Sequence, residues 1–342
     1  MYKWDEKSVL VTGATGFIGS WLTESLVSKN ASVSVFVKKD DPFGLHSIKH
    51  LKDKVKIFYG DIRDVNSLKD AIKNQEIVFH LAAVTQVIQS KMDPRETFEV
   101  NALGTLNVLE SIRASANNPF LVHMSTDKVY GEPKFVPITE DHPLLAKSPY
   151  DASKVAAEKL VSSYNSTYDI YAGTARPSNN IGGRDANILR AVPNFVIALI
   201  NNKSPTLRGN GKHVRDYIYV GDTVNGLLKI AETANKSNGE AFNFGTGRPT
   251  TSLELANMMI NLVNPNNNLT PVILGEELIG EIDVQYLSYE KAKNVLEWEP
   301  TVKLEEALMR AISWYKENAK WQEIMRTVAY NFGISSLNTT YF

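Results

Sequence analysis

The chain contains no cysteine in its 342 residues, which excludes disulfides, thiolate metal sites and cysteine nucleophiles and leaves the fold to non-covalent forces. Net charge is nearly absent as well, with 37 Lys and Arg against 38 Asp and Glu. No global field is available to hold a nucleic acid or an anionic membrane, so any anion must be met locally. Long apolar runs are also missing. The longest, Ile188 to Ile200, contains Arg190, Pro193 and Asn194 and is too short to cross a bilayer. The opening Met-Tyr-Lys-Trp-Asp-Glu-Lys has no apolar core of a secretory signal, so the expected location is cytoplasmic. The six histidines show no metal-ligand spacing, and no metal is expected.

What is present suits a large folded protein. Apolar residues make up 43% and charged residues 22%, enough to fill a sizeable core and unlike the composition of disordered chains. The first half alternates β-branched runs with longer segments of helical spacing, the pattern of parallel strands joined by crossover helices. Strands are expected at Ser8–Thr12, Ser32–Val37, Lys56–Tyr59, Ile77–His80, Phe120–Ser125 and Ile170–Ala175, and helices across Ser67–Lys73, Arg95–Ala116 and Ser153–Tyr168. This is a Rossmann-type, doubly wound α/β sheet. After Pro177 glycine and asparagine clusters interrupt the pattern, at Asn179–Gly183, Gly209–Gly211 and Asn264–Asn268. The expected division is a dinucleotide-binding domain over 1–177 and a smaller, mainly substrate-binding α/β region over 178–342. Residues 214–247 partly return to the first, because Ala241–Gly247 reads as strand then turn.

Two constellations carry chemistry. Strand Ser8–Thr12 runs into Gly13-Ala14-Thr15-Gly16-Phe17-Ile18-Gly19 and then a helix. Glycines in that order allow a tight turn and let a pyrophosphate approach backbone N–H groups at a helix N-terminus, so a dinucleotide is expected here. Further on, Tyr150 and Lys154 form Tyr-x-x-x-Lys at the start of a helical segment, one turn apart on one face. A neighbouring ammonium favours tyrosinate and suits the phenol to act as a base. Upstream, the strand Phe120–Met124 ends in Ser125-Thr126-Asp127-Lys128-Val129-Tyr130-Gly131, and carboxyl ends of such strands face the ligand crevice.

The three-and-three glycine spacing resembles that of the extended short-chain dehydrogenases/reductases, the NAD-dependent epimerase/dehydratase family. Gly60-Asp61-Ile62-Arg63-Asp64, His80-Leu81-Ala82-Ala83 and Asn101 before Gly104-Thr105 fit it. The resemblance implies NAD held by Gly13, Thr15, Gly16, Phe17, Ile18, Gly19, Asp61, Ile62, Leu81, Ala82, Ala83, Asn101, Ser125, Tyr150, Lys154 and Pro177. One departure is Val37-Lys38-Lys39-Asp40, where an acid is expected to bind the adenosine ribose, so NADP stays open at this point.

Thr126-Asp127-Lys128 separates reaction classes. Sugar-nucleotide 4-epimerases of this family usually carry small or neutral residues after the hydroxyl residue, whereas a dehydratase needs one acid and one base on the substrate face. The run resembles that of CDP-glucose 4,6-dehydratases and of the inverting UDP-N-acetylglucosamine 4,6-dehydratases. Gly19-Ser20-Trp21-Leu22, Arg176 to Gly183, Asn243-Phe244-Gly245, Gly275-Glu276, Lys291-Ala292 and Trp298 with Pro300 extend the likeness to CDP-glucose 4,6-dehydratases over nearly the whole chain. His213-Val214-Arg215-Asp216-Tyr217 is closer to thymidine dehydratases and 4-epimerases, which leaves the nucleotide base open.

The resemblance implies a nucleotide-sugar substrate touched by Thr85, Thr126, Asn179, Arg215 and Glu281. Catalysis falls to Thr126, Asp127, Lys128, Tyr150 and Lys154. A homodimer is implied through Arg95–Ala116 and Ser153–Tyr168. The expected reaction is 4,6-dehydration of an NDP-hexose. A UDP-hexose 4-epimerase is the alternative, and a non-catalytic NAD-binding regulatory protein the remote one.

Overall fold

The computed structural model describes residues 2–40, 45–263, 268–275 and 282–331. β-branched and aromatic runs form the strands β1 (Ser8–Thr12), β2 (Ser32–Val37), β3 (Lys56–Tyr59), β4 (Ile77–His80), β5 (Phe120–Met124) and β6 (Ala172–Pro177). With Ala241–Phe244 they make one seven-stranded sheet in the order 241–244, β6, β5, β4, β1, β2, β3, and every pairing is parallel. Such strands are buried on both faces and accordingly read as continuous apolar runs: β4 and β5 are buried at every residue. One face packs Val9, Val11, Phe79 and Phe242 against flanking helices, and the other packs Leu10, Val78 and Leu121 with Leu109 of the helix Gly104–Arg113. Strand order reverses between β1 and β4, and the glycine turn and the segment after β4 both lie at that switch point.

Three expected elements shift. β5 ends at Met124, because Ser125 still donates to Ala175 O at 2.7 Å but Thr126 turns into a 3-10 turn, Asp127–Tyr130. β6 begins at Ala172, two residues late, after Asp169 closes the preceding helix in the left-handed conformation (φ 53°). The single helix expected over Arg95–Ala116 is interrupted: Pro94–Phe98 leads into a π-helical turn, Glu99–Leu103, and then Gly104–Arg113. Extra residues of this kind commonly re-aim side chains at functional sites. Here Asn101 turns inward, and Gly104 comes so close to Ile62 that a Cβ would sit 2.8 Å from it.

A second apolar cluster gathers Ile181, Phe195, Leu255, Met259, Leu308 and Trp321. The helix Trp321–Asn331 adds Met325 and Val328 to it. Among the described residues no helix is long and apolar enough to cross a membrane.

The helix Pro149–Tyr168, N-capped by Ser148 through Asp151 N, packs against Gly104–Arg113 and β6. Its Glu158 takes three hydrogen bonds from Arg176 of β6, the shortest 2.6 Å, with both side chains under a tenth exposed. Arg176 Nη1 also donates to Tyr130 Oη at 2.9 Å, and Tyr130 donates to Asn243 Oδ1 at 2.7 Å. Removing one partner of such a pair strands a buried charge. Glu158→Leu is therefore expected to lower the unfolding free energy by about 3–5 kcal/mol in urea titrations.

Candidate active site

The turn after β1 is closed by contacts only glycine permits. Gly13 sits at φ +70° with its α-carbon against the Leu81–Ala82 backbone, where a Cβ would come within 2.7 Å of Ala82 N. At Gly19 a Cβ would meet Gly13 O at 2.0 Å. The helix Phe17–Ser28 starts at Gly16 with no side-chain cap and no acid in its first turn. Its first N–H groups and dipole are thus left for an anion, and the residues present fit a dinucleotide pyrophosphate. Thr15 is buried and Phe17 and Ile18 half-buried beside it.

A second support holds the segment after β4. Leu81 N and Ala82 N both donate to Thr12 Oγ1 at 3.2 Å, so the Thr12 hydroxyl proton is directed to His80 Nδ1, 2.8 Å away. His80 Nε2 then donates to Thr105 Oγ1 at 3.0 Å, and Thr105 to Asn101 O at 2.6 Å. Burial pushes the His80 ring down to about 3, which keeps it neutral and fit for this relay of bonds. Asn101 completes the brace. Its amide bonds Val84 N and O at 2.7 and 3.0 Å and donates to Ser153 Oγ at 2.9 Å, between Tyr150 and Lys154. Ala83 lies half-buried in the braced segment, and Thr85 is exposed at its end.

Asp61 is occupied by its own neighbours. Arg63 Nε and Nη2 donate to its two oxygens at 2.9 and 2.7 Å, and Lys38 Nζ lies 4.0 Å off. Arg63 holds the carboxyl below its ordinary range. Ile62 is buried against Gly104.

Tyr150 meets Thr126, but the expected lowering of its phenol by Lys154 does not appear: burial raises it, the cation opposing that is Arg190, and Lys154 Nζ is turned to the Met124 carbonyl. Tyr150 is hydrogen-bonded to Thr126 and 9% exposed. Burial pushes its phenol up to about 12, against the opposing charge of Arg190 and the Thr126 bond. Lys154 is 4% exposed and donates to Met124 O at 2.5 Å. Burial brings its ammonium down to about 8, with Glu158 one turn on acting in the opposite sense. Ser125 Oγ and Ser178 Oγ are buried polar atoms aimed at no protein partner among the described residues, flanking the ends of β5 and β6. Pro177 ends β6 beside them.

Asp127 is 3% exposed, and its Oδ2 lies 3.5 Å from Lys128 Nζ, so an acid and a base stand side by side on the turn that carries Thr126. Asn179 and Arg215 stand on two separate short strand pairs: Asn179 N and Nδ2 both donate to Asp216 O at 3.1 Å, and Arg215 donates to Val214 O at 2.8 Å. Arg215 is 8% exposed, which sets it apart from an ordinary surface salt bridge. Glu281 lies outside the described residues, as does Glu276. Among the described residues, no group of three or more His, Asp or Glu is arranged to hold a metal.

Three residues at this site escape motif reading. Asp151 follows Tyr150, is 9% exposed, and its carboxyl is pushed up by burial with Lys128 opposing and Asp127 reinforcing the shift. Arg190, which donates to Asp185 Oδ2 at 3.0 Å, comes from the start of the apolar run. Gln285 reaches Asp127 and Lys128 from a distant segment. Only Asp151 had a local signal, its adjacency to the tyrosine.

The family described as GDP-mannose 4,6 dehydratase matches residues 10–311. The chain belongs to this family. Its members by likeness include both reaction classes. The chain is 32% identical over 316 residues or more to proteins such as the UDP-glucose 4-epimerase of Mycolicibacterium smegmatis, covering 91% of this chain and 99% of that one. It is 29% identical to the CDP-glucose 4,6-dehydratase of Salmonella typhimurium, covering 94% of each. The crystal structure of DesIV, a dTDP-glucose 4,6-dehydratase of Streptomyces venezuelae with NAD bound, superposes with a TM-score of 0.83 at 26% identity, over 93% of this chain and 99% of that one. This is an enzyme family of nucleotide-sugar dehydratases and epimerases on a Rossmann-like sheet.

The buried lysine generates a prediction. The fold lowers Lys154 from 10.5 to about 8, so between those values the unfolded chain holds a proton that the folded chain has released. Stability therefore rises with pH through that window, and below it the fold carries the cost of a buried ammonium. Lys154→Met is expected to gain about 1–2 kcal/mol at neutral pH. Denaturant titrations should show that gain shrinking above pH 8, while turnover falls roughly 10²–10⁴-fold.

Proposed function

We propose that the protein is a nucleotide-sugar 4,6-dehydratase that uses NAD to convert an NDP-hexose, with CDP-glucose favoured, to the NDP-4-keto-6-deoxyhexose. The observation that carries this reading is the 3.5 Å approach of Asp127 Oδ2 and Lys128 Nζ beside Thr126. A 4-epimerase returns hydrogen to C4 and has no use for that pair. A dehydratase needs both members.

Bound NAD, held at the glycine turn after β1 and the segment after β4, would supply a hydride acceptor for C4 and a hydride donor for C6. Tyr150 Oη, hydrogen-bonded to Thr126, removes the proton of the 4-hydroxyl, with the charge of Arg190 opposing the burial that raises the phenol and Lys154 one turn on along the same helix. The resulting 4-keto group acidifies the C5 hydrogen. One proton passing from Lys128 Nζ to Asp127 Oδ2 turns the ion pair into a neutral amine and a carboxylic acid, the two forms elimination requires. Lys128 then takes the C5 proton while Asp127 protonates the C6 oxygen, which leaves as water. Lys128 afterwards returns a proton to C5. The proton gained by Tyr150 balances the one given up by Asp127.

Arg215 suits the diphosphate, since its planar fork of donors matches paired oxygens. Asn179 bonds the carbonyl of Asp216, next to Arg215 in sequence, and Thr85 ends the segment after β4; both are assigned to the substrate, with residues 178–342 as mainly the substrate-binding region. The Lys38–Asp61–Arg63 group does not favour NADP over NAD, because Asp61 balances part of its charge.

A homodimer is the proposed assembly. Phe98 and Leu103 are 38% and 51% exposed along the interrupted helix, and Met92, 69% exposed, ends the short helix Val87–Met92 just before it, together more apolar surface than a solvated face usually presents. Pairing through this surface predicts that a Met92→Glu, Leu103→Glu double variant runs as a monomer in light scattering; a wild-type monomer removes the assignment.

The epimerase reading keeps one support, the likeness to named UDP-glucose 4-epimerases. Incubation with CDP-glucose, UDP-glucose, UDP-N-acetylglucosamine and dTDP-glucose separately, followed by mass spectrometry, decides between them. The expected result is loss of one water from one substrate, abolished in Lys128→Met. Unchanged mass with an altered sugar spectrum establishes the epimerase.

A further inference from the structure

Both members of the acid–base pair are touched by one buried amide that belongs to no motif. Gln285 is fully buried; its Nε2 donates to Asp127 O at 2.9 Å and its Oε1 accepts from Lys128 Nζ. The segment carrying it is strapped on both sides. Gln285 N donates to Val214 O at 3.0 Å, Leu287 N to Asp216 Oδ2 at 3.3 Å, and Ser288 N to Ile138 O at 2.8 Å. The amide is thus fixed by backbone bonds to two separate strands of chain, one of which carries Arg215.

We infer that Gln285 is a positioning residue for the elimination step, holding Lys128 Nζ and the Asp127 turn in the geometry that proton transfer at C5 and C6 requires. This rests on the dehydratase reading above. A lysine amine rides on four rotatable carbons, and holding it still costs up to about 2 kcal/mol of side-chain entropy. Asp127, at 3.5 Å, is too distant for a short hydrogen bond and cannot aim the amine alone. An amide oxygen can, and being neutral it accepts an N–H from the amine in either protonation state. The aim therefore survives the moment at which Lys128 exchanges its proton. A carboxylate in the same place would favour the charged form instead.

The charge around Lys128 makes that neutrality matter. Asp127 faces it from its own turn and Asp151 from the helix Pro149–Tyr168, while Arg190 faces the neighbouring Tyr150. Among the described residues two carboxylates face Lys128. A third would hold the base in its protonated form over more of the pH range.

The test compares wild type, Gln285→Leu and Gln285→Glu, each carrying its bound cofactor, on the sugar nucleotide that the wild type dehydrates. Three readouts are taken: the pH profile of kcat, the split between kcat and KM, and deuterium entry at C5 in heavy water. Gln285→Leu is expected to lose kcat roughly 10–100-fold with KM little changed, because misplacement of a reacting group by about 1 Å costs that much. Oxidation at C4, read as reduced-nicotinamide absorbance in a single turnover, should persist in it while deuterium entry falls in step with kcat. In Gln285→Glu, the limb of the profile on which rate grows with pH should move to higher pH.

Wild-type kcat and an unmoved profile in both variants would overturn the inference while leaving the dehydratase intact. Parallel loss of C4 oxidation and deuterium entry in both variants would also overturn it, marking a general folding or binding defect. A wild type that dehydrates none of the four sugar nucleotides would sink the functional reading, and this inference with it.

Discussion

The structure depends on one face of one helix. Tyr150, Lys154 and Glu158 follow each other at four-residue intervals along Pro149–Tyr168, so their polar heads emerge in a line. That line is pressed, almost without solvent, against the carboxyl ends of β5 and β6. Tyr150 bonds Thr126, Lys154 bonds the Met124 carbonyl, and Glu158 clasps Arg176. Each bond compensates a group that would be costly to bury alone. Sliding the helix by one residue would orphan all three, so its register is set by polar satisfaction more than by apolar packing. The catalytic geometry is a consequence of that register.

The same constraint explains why the lysine can be buried at all. Its ammonium has one short backbone acceptor and a carboxylate one turn away, and loses much of its hydration. The neutral imidazoles of His80 and His123 lie beneath it on adjacent strands, 5.7 Å apart, both kept uncharged by burial. Charging either ring would place a second cation beside Lys154. The sheet thus offers the lysine a floor that is polar enough to brace neighbouring loops but carries no charge of its own. Stability is surrendered locally to keep a cation buried at this place, a trade common to functional sites.

What was readable in the sequence follows from how far apart the interacting residues lie. The parallel sheet was legible because each strand declares itself within a few residues, and the glycine turn because its spacing reports a local backbone demand. Tyr150 with Lys154 was legible for the same reason: one helical turn separates them. The break at Glu99–Leu103 was not, since an extra residue in a helix leaves the amphipathic pattern almost intact and is needed only because Asn101 must reach Val84 and Ser153. Nor was Gln285, whose partners are 157 and 158 residues away and whose flanking Val-Gln-Tyr carries no periodic or turn signal. Arg190 lies in a run that reads as apolar helix, and only the folded chain turns it toward Tyr150.

The distinction between the two reaction classes rests on a comparable asymmetry of distance. In the proposed reaction, hydride removal at C4 is served by the helix face and the strand ends, machinery that either reaction class would use. Elimination of water needs a second pair of groups whose protonation is opposite and mutually dependent. On this chain that pair is contiguous in sequence, on a 3-10 turn whose N-cap is Thr126 itself, so the hydroxyl that bonds Tyr150 and the groups that would act on C5 and C6 move as one rigid unit. Contiguity alone leaves a flexible lysine free to point into solvent. The buried amide arriving from the far end of the chain holds it inward, and with the amine so held the turn becomes a place where an acid and a base share one proton.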